Sequence, residues 1–113
     1  MTNAWAQSDE IKTRPYGRGT ADLLCPRCGS ANLHHTGVTV YDRGEDRATV
    51  VETTVSGGKI KVDPVAHGAM NPSGRRDGLA IRFDCEGCGE EPIELTIAQH
   101  KGSTEIGWRY VDF

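Results

Sequence analysis

The chain has 113 residues and a mass of 12.3 kDa, room for one domain. Its core is poor, since 36% of residues are apolar and 6% aromatic while 14 are glycine, so it needs a staple, and a bound metal supplies one. The formal charge of −3 is unevenly spread: residues 1–30 sum to +1, residues 31–84 balance, and residues 85–113 sum to −4. Indiscriminate attraction to nucleic acid is not expected from that total, although a local basic patch is compatible with it. The opening residues lack the charged start and apolar run of a signal peptide, and no segment reads as a membrane span. These features point to the cytoplasm, where thiols stay reduced and cysteine pairs serve as metal ligands more often than as disulfides.

Residues 1–22 show no sustained periodicity, and Arg14-Pro15-Tyr16-Gly17-Arg18-Gly19-Thr20 is polar and rich in breakers. They read as a flexible tail, with Trp5 able to dock on the body. Residues 23–113 form the domain, and its signal is β throughout. Residues 38–41 and 48–55 are rich in β-branched side chains, Gly57-Gly58 follows, and residues 59–62 alternate behind it. A Gly-Gly loop tolerates the positive φ angles of a tight turn, so these last two runs should pair antiparallel. Residues 63–78 form a long irregular stretch punctuated by proline and glycine. Beyond it, Leu79, Ile81, Phe83 and Cys85 share one face of a strand; residues 93–97 and 106–110 alternate likewise, which places Ile106, Trp108 and Tyr110 inside. No amphipathic helix stands out. The expected architecture is mainly β, an antiparallel sheet carrying two metal-binding knuckles.

Those knuckles are Cys25-Pro26-Arg27-Cys28-Gly29 and Cys85-Glu86-Gly87-Cys88-Gly89. Each is a turn that converges two sulfurs on one ion, with a trailing glycine free to adopt a conformation that side chains hinder. Together they supply the four thiolates that tetrahedral zinc prefers, with iron as the alternative metal. Two disulfides do not suit a reducing compartment. A thioredoxin-like motif should open a helix, and residues 90–94 do not look like one. Haem attachment needs a histidine where glycine stands in both motifs. With four thiolates and one zinc, the net charge becomes about −5.

In these two knuckles and the strand after each, the chain resembles the zinc-ribbon superfamily, including small zinc-ribbon proteins of bacteria and phages. The resemblance covers about a third of the chain and implies that Cys25, Cys28, Cys85 and Cys88 are the ligands of one structural ion. The departure is the spacing: 56 residues separate Cys28 from Cys85, so the intervening strands and loop elaborate a minimal ribbon. Members of the superfamily bind DNA, RNA or proteins, or brace larger assemblies, and the likeness narrows function little.

Four histidines remain. His34 and His35 follow the first knuckle but are not needed as ligands beside four cysteines, and His67 and His100 read as surface residues. No nucleophile–base pattern, phosphate-cradling loop or small-molecule site stands out, and a closed thiolate site has no open position for water, so an enzyme is not expected. Arg75 and Arg76 are adjacent arginines in a Gly- and Pro-constrained loop, suited to phosphate or carboxylate, or equally to solvent beside Asp77. Arg14 and Arg18 interleave with Tyr16 as in some single-strand binders, although a disordered leader has the same composition. The expected function is therefore a non-catalytic zinc-binding module that recognises nucleic acid through Arg75, Arg76, Arg14 and Arg18. The alternative is a protein-interaction or accessory module whose zinc is purely structural.

Overall fold

Backbone pairing extends across almost the whole chain. In the computed structural model, residues 6–44, 47–66, 70–89 and 91–110 are described, and Trp5 and His67 lie outside them. Nine strands and no helix make up the described residues: β1 (Ala6–Ser8), β2 (Thr13–Pro15), β3 (Ala21–Leu23), β4 (Leu33–Asp42), β5 (Thr49–Ser56), β6 (Lys59–Ala66), β7 (Gly78–Cys85), β8 (Ile93–His100) and β9 (Ser103–Tyr110). Seven form one sheet in the order β1-β9-β8-β7-β4-β5-β6, every neighbouring pair antiparallel, and β2 and β3 form a separate ribbon.

The hairpin expected from Gly57-Gly58 is present. Ser56 faces Lys59, and the two glycines have φ of +60° and +78°, the left-handed pair that matches the twist of the flanking strands. A second hairpin turns at Lys101-Gly102, with Lys101 at φ +57° and the Ser103 hydroxyl donating to the His100 carbonyl. It carries β8 and β9 several residues past the apolar alternation, because Gln99 and Thr104 pair through polar side chains that leave no hydrophobic pattern.

The central pair, β4 with β7, runs from Leu33 opposite Cys85 to Tyr41 opposite Gly78, with a bulge between His35 and Gly37. It splits the sheet into two three-strand meanders, β4-β5-β6 and β7-β8-β9. The alternation of side chains then divides the sheet into two unlike faces. One face buries Tyr41, Val50 and Ala80 beneath Met70. Residues 70–77 are tied down over it: Arg109 Nη1 donates to the Met70 carbonyl, Ser73 Oγ to the Gln99 carbonyl, and Arg43 Nη1 to the Gly74 carbonyl. Asp77 Oδ1 accepts the amides of Gly44 and Arg43, which hold its carboxyl below the ordinary range. Only part of the expected irregular stretch is therefore irregular, since β6 continues to Ala66 and β7 begins at Gly78.

On the opposite face, Ile93, Leu95 and Trp108 are buried with Cys25 and Cys85, and Ile11, Leu23, Leu33, Phe83 and Tyr110 pack around them. Trp108, 1% exposed, meets Phe83 edge to face at 5.8 Å. This core occupies only the knuckle end. Ile106, expected inside, is 49% exposed, because it pairs with Ile97 further along the face, beyond the residues that cover Trp108.

Pairing also reaches into residues 1–22. Ala6, Gln7 and Ser8 lie opposite Tyr110, Arg109 and Trp108, and the expected boundary at residue 22 falls inside β3. Strands of three residues held by backbone bonds carry no side-chain periodicity by which to recognise them. Among the described residues no helix is long and apolar enough to cross a membrane.

Candidate metal centre

The two cysteine motifs fold into matching turns. After β3, Cys25 begins a turn in which the Gly29 amide donates to the Cys25 carbonyl at 2.8 Å; at the end of β7, the Gly89 amide donates to the Cys85 carbonyl at 3.1 Å. Gly29 and Gly89 both have positive φ, +78° and +62°. The glycines close each turn in a conformation that a side chain would strain. The Cys25 amide also donates to the Ser30 carbonyl, closing the first knuckle, and the Glu86 amide donates to the Asn32 carbonyl, joining the second knuckle to the first.

The sulfurs of Cys25, Cys28, Cys85 and Cys88 all lie within 4.8 Å of one another, with Cys28 and Cys85 at 3.5 Å. All four are free thiols. A metal–thiolate tetrahedron with bonds of about 2.3 Å has sulfur–sulfur edges of about 3.8 Å, so the cluster fits a single ion. Cys25 and Cys85 are buried, Cys88 is half-buried and Cys28 is exposed, which puts the site at the rim of the core. Burial pushes the Cys25 thiol up, but the amides of Cys28 and Arg27 and the neighbouring sulfurs outweigh it and bring it down to about 7. At Cys28 the Ser30 amide pulls down, while burial and the sulfurs of Cys85, Cys25 and Cys88 outweigh it and push the thiol up to about 11. One sulfur thus ionises near neutrality and the next resists a second negative charge beside it; a divalent cation removes that conflict.

Two supports were not legible in the motifs. Arg27, inside the first knuckle, donates from Nη2 to the Glu91 carbonyl at 2.6 Å and lies over the Tyr110 ring at 6.0 Å, strapping one knuckle to the segment after the other. Gly87 faces Ser30 so closely that a Cβ there would lie 2.5 Å from the Ser30 Cβ and 3.2 Å from the Cys28 sulfur. Gly87→Ala is therefore expected to push the knuckles apart, costing about 1–3 kcal/mol of stability and hastening metal loss to a chelator. Adding Ser30→Gly should restore much of the retention. Chelator competition on the two variants checks this, and unchanged retention in Gly87→Ala would show that the knuckles do not meet here.

Compared with protein-family models, curated proteins and solved structures, the chain gives no match. The site must be read from its own geometry.

The remaining candidates lie apart from the cluster. His34 pairs with Glu86 at 2.6 Å on the surface, and His35 and His100 are exposed. Arg14 binds Asp22 at 2.7 Å, and the Tyr16 hydroxyl donates to the same carboxylate; these two partners hold Asp22 below its usual range, with Tyr16 the larger cause. Arg18 lies over the Tyr16 ring at 5.5 Å. Arg75 and Arg76 sit in a tight turn, where Ser73 Oγ accepts both their amides and Asn71 Nδ2 donates to the Arg76 carbonyl. That turn adjoins the Gly78 end of β7, whereas the knuckles adjoin its Cys85 end, a separation of about 23 Å at 3.3 Å per residue. The four arginines are thus not gathered into one patch: Arg14 and Arg18 belong to the β2–β3 ribbon near the knuckles, and Arg75 and Arg76 to the far end.

Proposed function

We propose that the chain is a non-catalytic β module of zinc-ribbon kind, braced by one zinc ion on Cys25, Cys28, Cys85 and Cys88, that works by binding another protein. The observation that carries this reading is the convergence of two matching Cys-x-x-Cys-Gly turns, one before β4 and one after β7, at the Leu33–Cys85 end of the β4–β7 pair into one thiolate cluster. Thiolates favour zinc over harder cations, and four of them complete its tetrahedron without leaving a position for a reacting water. The bound zinc would supply no chemistry beyond holding the two meanders together, and its thiolate ligands suit a reducing cytoplasm. Away from the cysteines, an open hollow of about 630 Å³ is lined by Ser8, Asp9, Glu10, Glu105 and others and offers a concave polar surface to a partner.

A second reading, recognition of nucleic acid, is favoured by one feature: Arg75 and Arg76 are adjacent in a turn that Ser73 ties to the sheet. Against it stand the charge of about −5 with zinc bound and the engagement of Arg14 and Arg18 with Asp22 and Tyr16. Binding to single- and double-stranded DNA and RNA, measured over a series of salt concentrations, separates the two. The expected result is no measurable binding at micromolar protein and moderate salt. Binding with a steep salt slope that shrinks by about one or two units in Arg75→Ala/Arg76→Ala would replace the protein-binding reading with the nucleic-acid one.

A further inference from the structure

Among the described residues, nothing covers one face of the sheet beyond the knuckles. Register and alternation place Val40, Val51, Val55, Ile60, Val62 and Ile106 together on it, and all six are exposed, Ile60 by 73%. Half-buried Val38, Leu79, Ile81 and Ile97 lie between them. Along β4 to β9 that face carries a single carboxylate or cationic side chain other than histidine: Asp42, at the very end of β4. The same strands send their charges the other way, with Glu52, Lys59, Lys61, Asp63, Arg82 and Glu105 all on the face that residues 70–77 partly cover. Such segregation is costly to leave in water, because monomers rarely expose contiguous apolar patches beyond a few hundred Å² and a sheet ordinarily buries its apolar face against a second layer.

We propose that this bare apolar face is the interface of a two-fold homodimer, in which the β4-β5-β6 meander and the adjoining ends of β7, β8 and β9 pack face to face on the same surface of a second copy. Three observations select this occupant. A surface with one carboxylate at its margin and no lysine or arginine offers nothing to nucleic acid and little to a charged peptide, so the partner must present an apolar surface of its own. A two-fold contact sets each residue class against itself, which would be repulsive for a charged face and is favourable for one built of valine and isoleucine. At the β6 edge, beside most of these exposed side chains, strand addition is disfavoured because β6 carries Lys59, Lys61 and Pro64, residues that hinder edge pairing, so association there falls to the face. The size is also adequate. Six strands about 4.8 Å apart and about five residues long at 3.3 Å each give on the order of 400 Å² in flat projection. Projecting side chains raise the accessible area above that, so two copies bury on the order of 1,000 Å² in total, the size at which specific interfaces begin. The two sheets would stack about 10 Å apart as a sandwich, with both metal sites outside the contact.

The inference does not depend on which macromolecule the module binds, and its test uses the full chain with its metal content measured on the same sample. Sedimentation or light scattering from about 1 to 100 µM should give twice the 12.3 kDa chain mass. Ile60→Lys/Val62→Lys should shift the protein to monomer, weakening association at least a hundredfold, with metal content and near-ultraviolet circular dichroism unchanged because both side chains are already exposed. Ile106→Lys, on the other meander, is a second variant expected to act the same way and serves if the first misfolds. A wild type that stays monomeric throughout this range would overturn the proposal, whether or not it binds neutral phosphatidylcholine vesicles or another protein. A dimer that survives both substitutions in folded protein would overturn it too, by placing the contact elsewhere.

Discussion

Replacing any one of Cys25, Cys28, Cys85 or Cys88 with serine is expected to abolish stoichiometric zinc binding and leave a chain without a cooperative thermal transition. The physical basis is a comparison of magnitudes. Structural zinc in small peptides contributes about 10–16 kcal/mol of apparent binding energy, whereas a domain's net stability is about 5–15 kcal/mol. Here the metal's share should be at the high end, because Cys25 and Cys85 belong to the same buried cluster as Ile93, Leu95 and Trp108. Losing the ion leaves crowded sulfurs at the edge of that cluster and removes the clamp between its two halves. Elemental analysis of protein purified without added metal should find one zinc per chain, and circular dichroism during chelation should track its loss. Iron in place of zinc, or a serine variant that melts as cooperatively as the wild type, would refute the assignment.

The second large effect is expected at Glu94. Its carboxylate accepts a hydrogen bond from Arg109 Nε at 2.7 Å, and Arg109 is only 2% exposed on the face opposite Trp108. Glu94→Gln would remove the carboxylate that faces the guanidinium at 2.7 Å where water cannot replace it. Breaking such a buried pair costs about 3–5 kcal/mol, a fall in Tm of roughly 10–20 °C for a domain of this size. Zinc content should stay at one per chain, which distinguishes this loss from damage at the knuckles. Replacing both partners with apolar residues of similar size, Glu94→Leu with Arg109→Met, should recover much of the stability, since no charge is then stranded. Thermal melts of the three proteins decide the matter, and a single variant as stable as the wild type would show that the pair is not desolvated as described.

The parts of this fold that sequence made legible are those written in side-chain type at close spacing. Gly57-Gly58 between β-branched runs specified a hairpin and its register, and the two Cys-x-x-Cys-Gly motifs specified matching turns whose sulfurs meet. What stayed hidden depends on who neighbours whom. The strands Ala6–Ser8, Thr13–Pro15 and Ala21–Leu23 are held by backbone bonds and have no apolar rhythm. Arg109 reads as an ordinary surface position in an alternating strand until Glu94 is seen beside it across the β8–β9 register. Arg27 reads as a knuckle filler until Glu91 and Tyr110 come within reach. Ile106 obeys the alternation rule perfectly well; the rule names its face, and only the fold shows that this end of the face is bare.

The split of the sheet at β4 and β7 has a kinetic consequence. Within each meander the pairings are between neighbours in sequence, joined by a short connection or turn, and hairpins of that kind close in microseconds. The β4–β7 seam is different, since even its nearest pair, Tyr41 opposite Gly78, requires the chain to close on itself across the 36 residues 42–77. Loop-closure entropy for that seam must be met before its contacts return anything, which makes it the slow event in assembly. If zinc binds as proposed, an ion captured by either Cys-x-x-Cys pair would tether the search to a single point, and zinc supplied in excess would occupy both pairs separately and hold the halves apart. On the proposed zinc site, the metal concentration during synthesis, and not only the final occupancy, is therefore expected to set how quickly the protein acquires its fold, which refolding rates over a zinc series would measure.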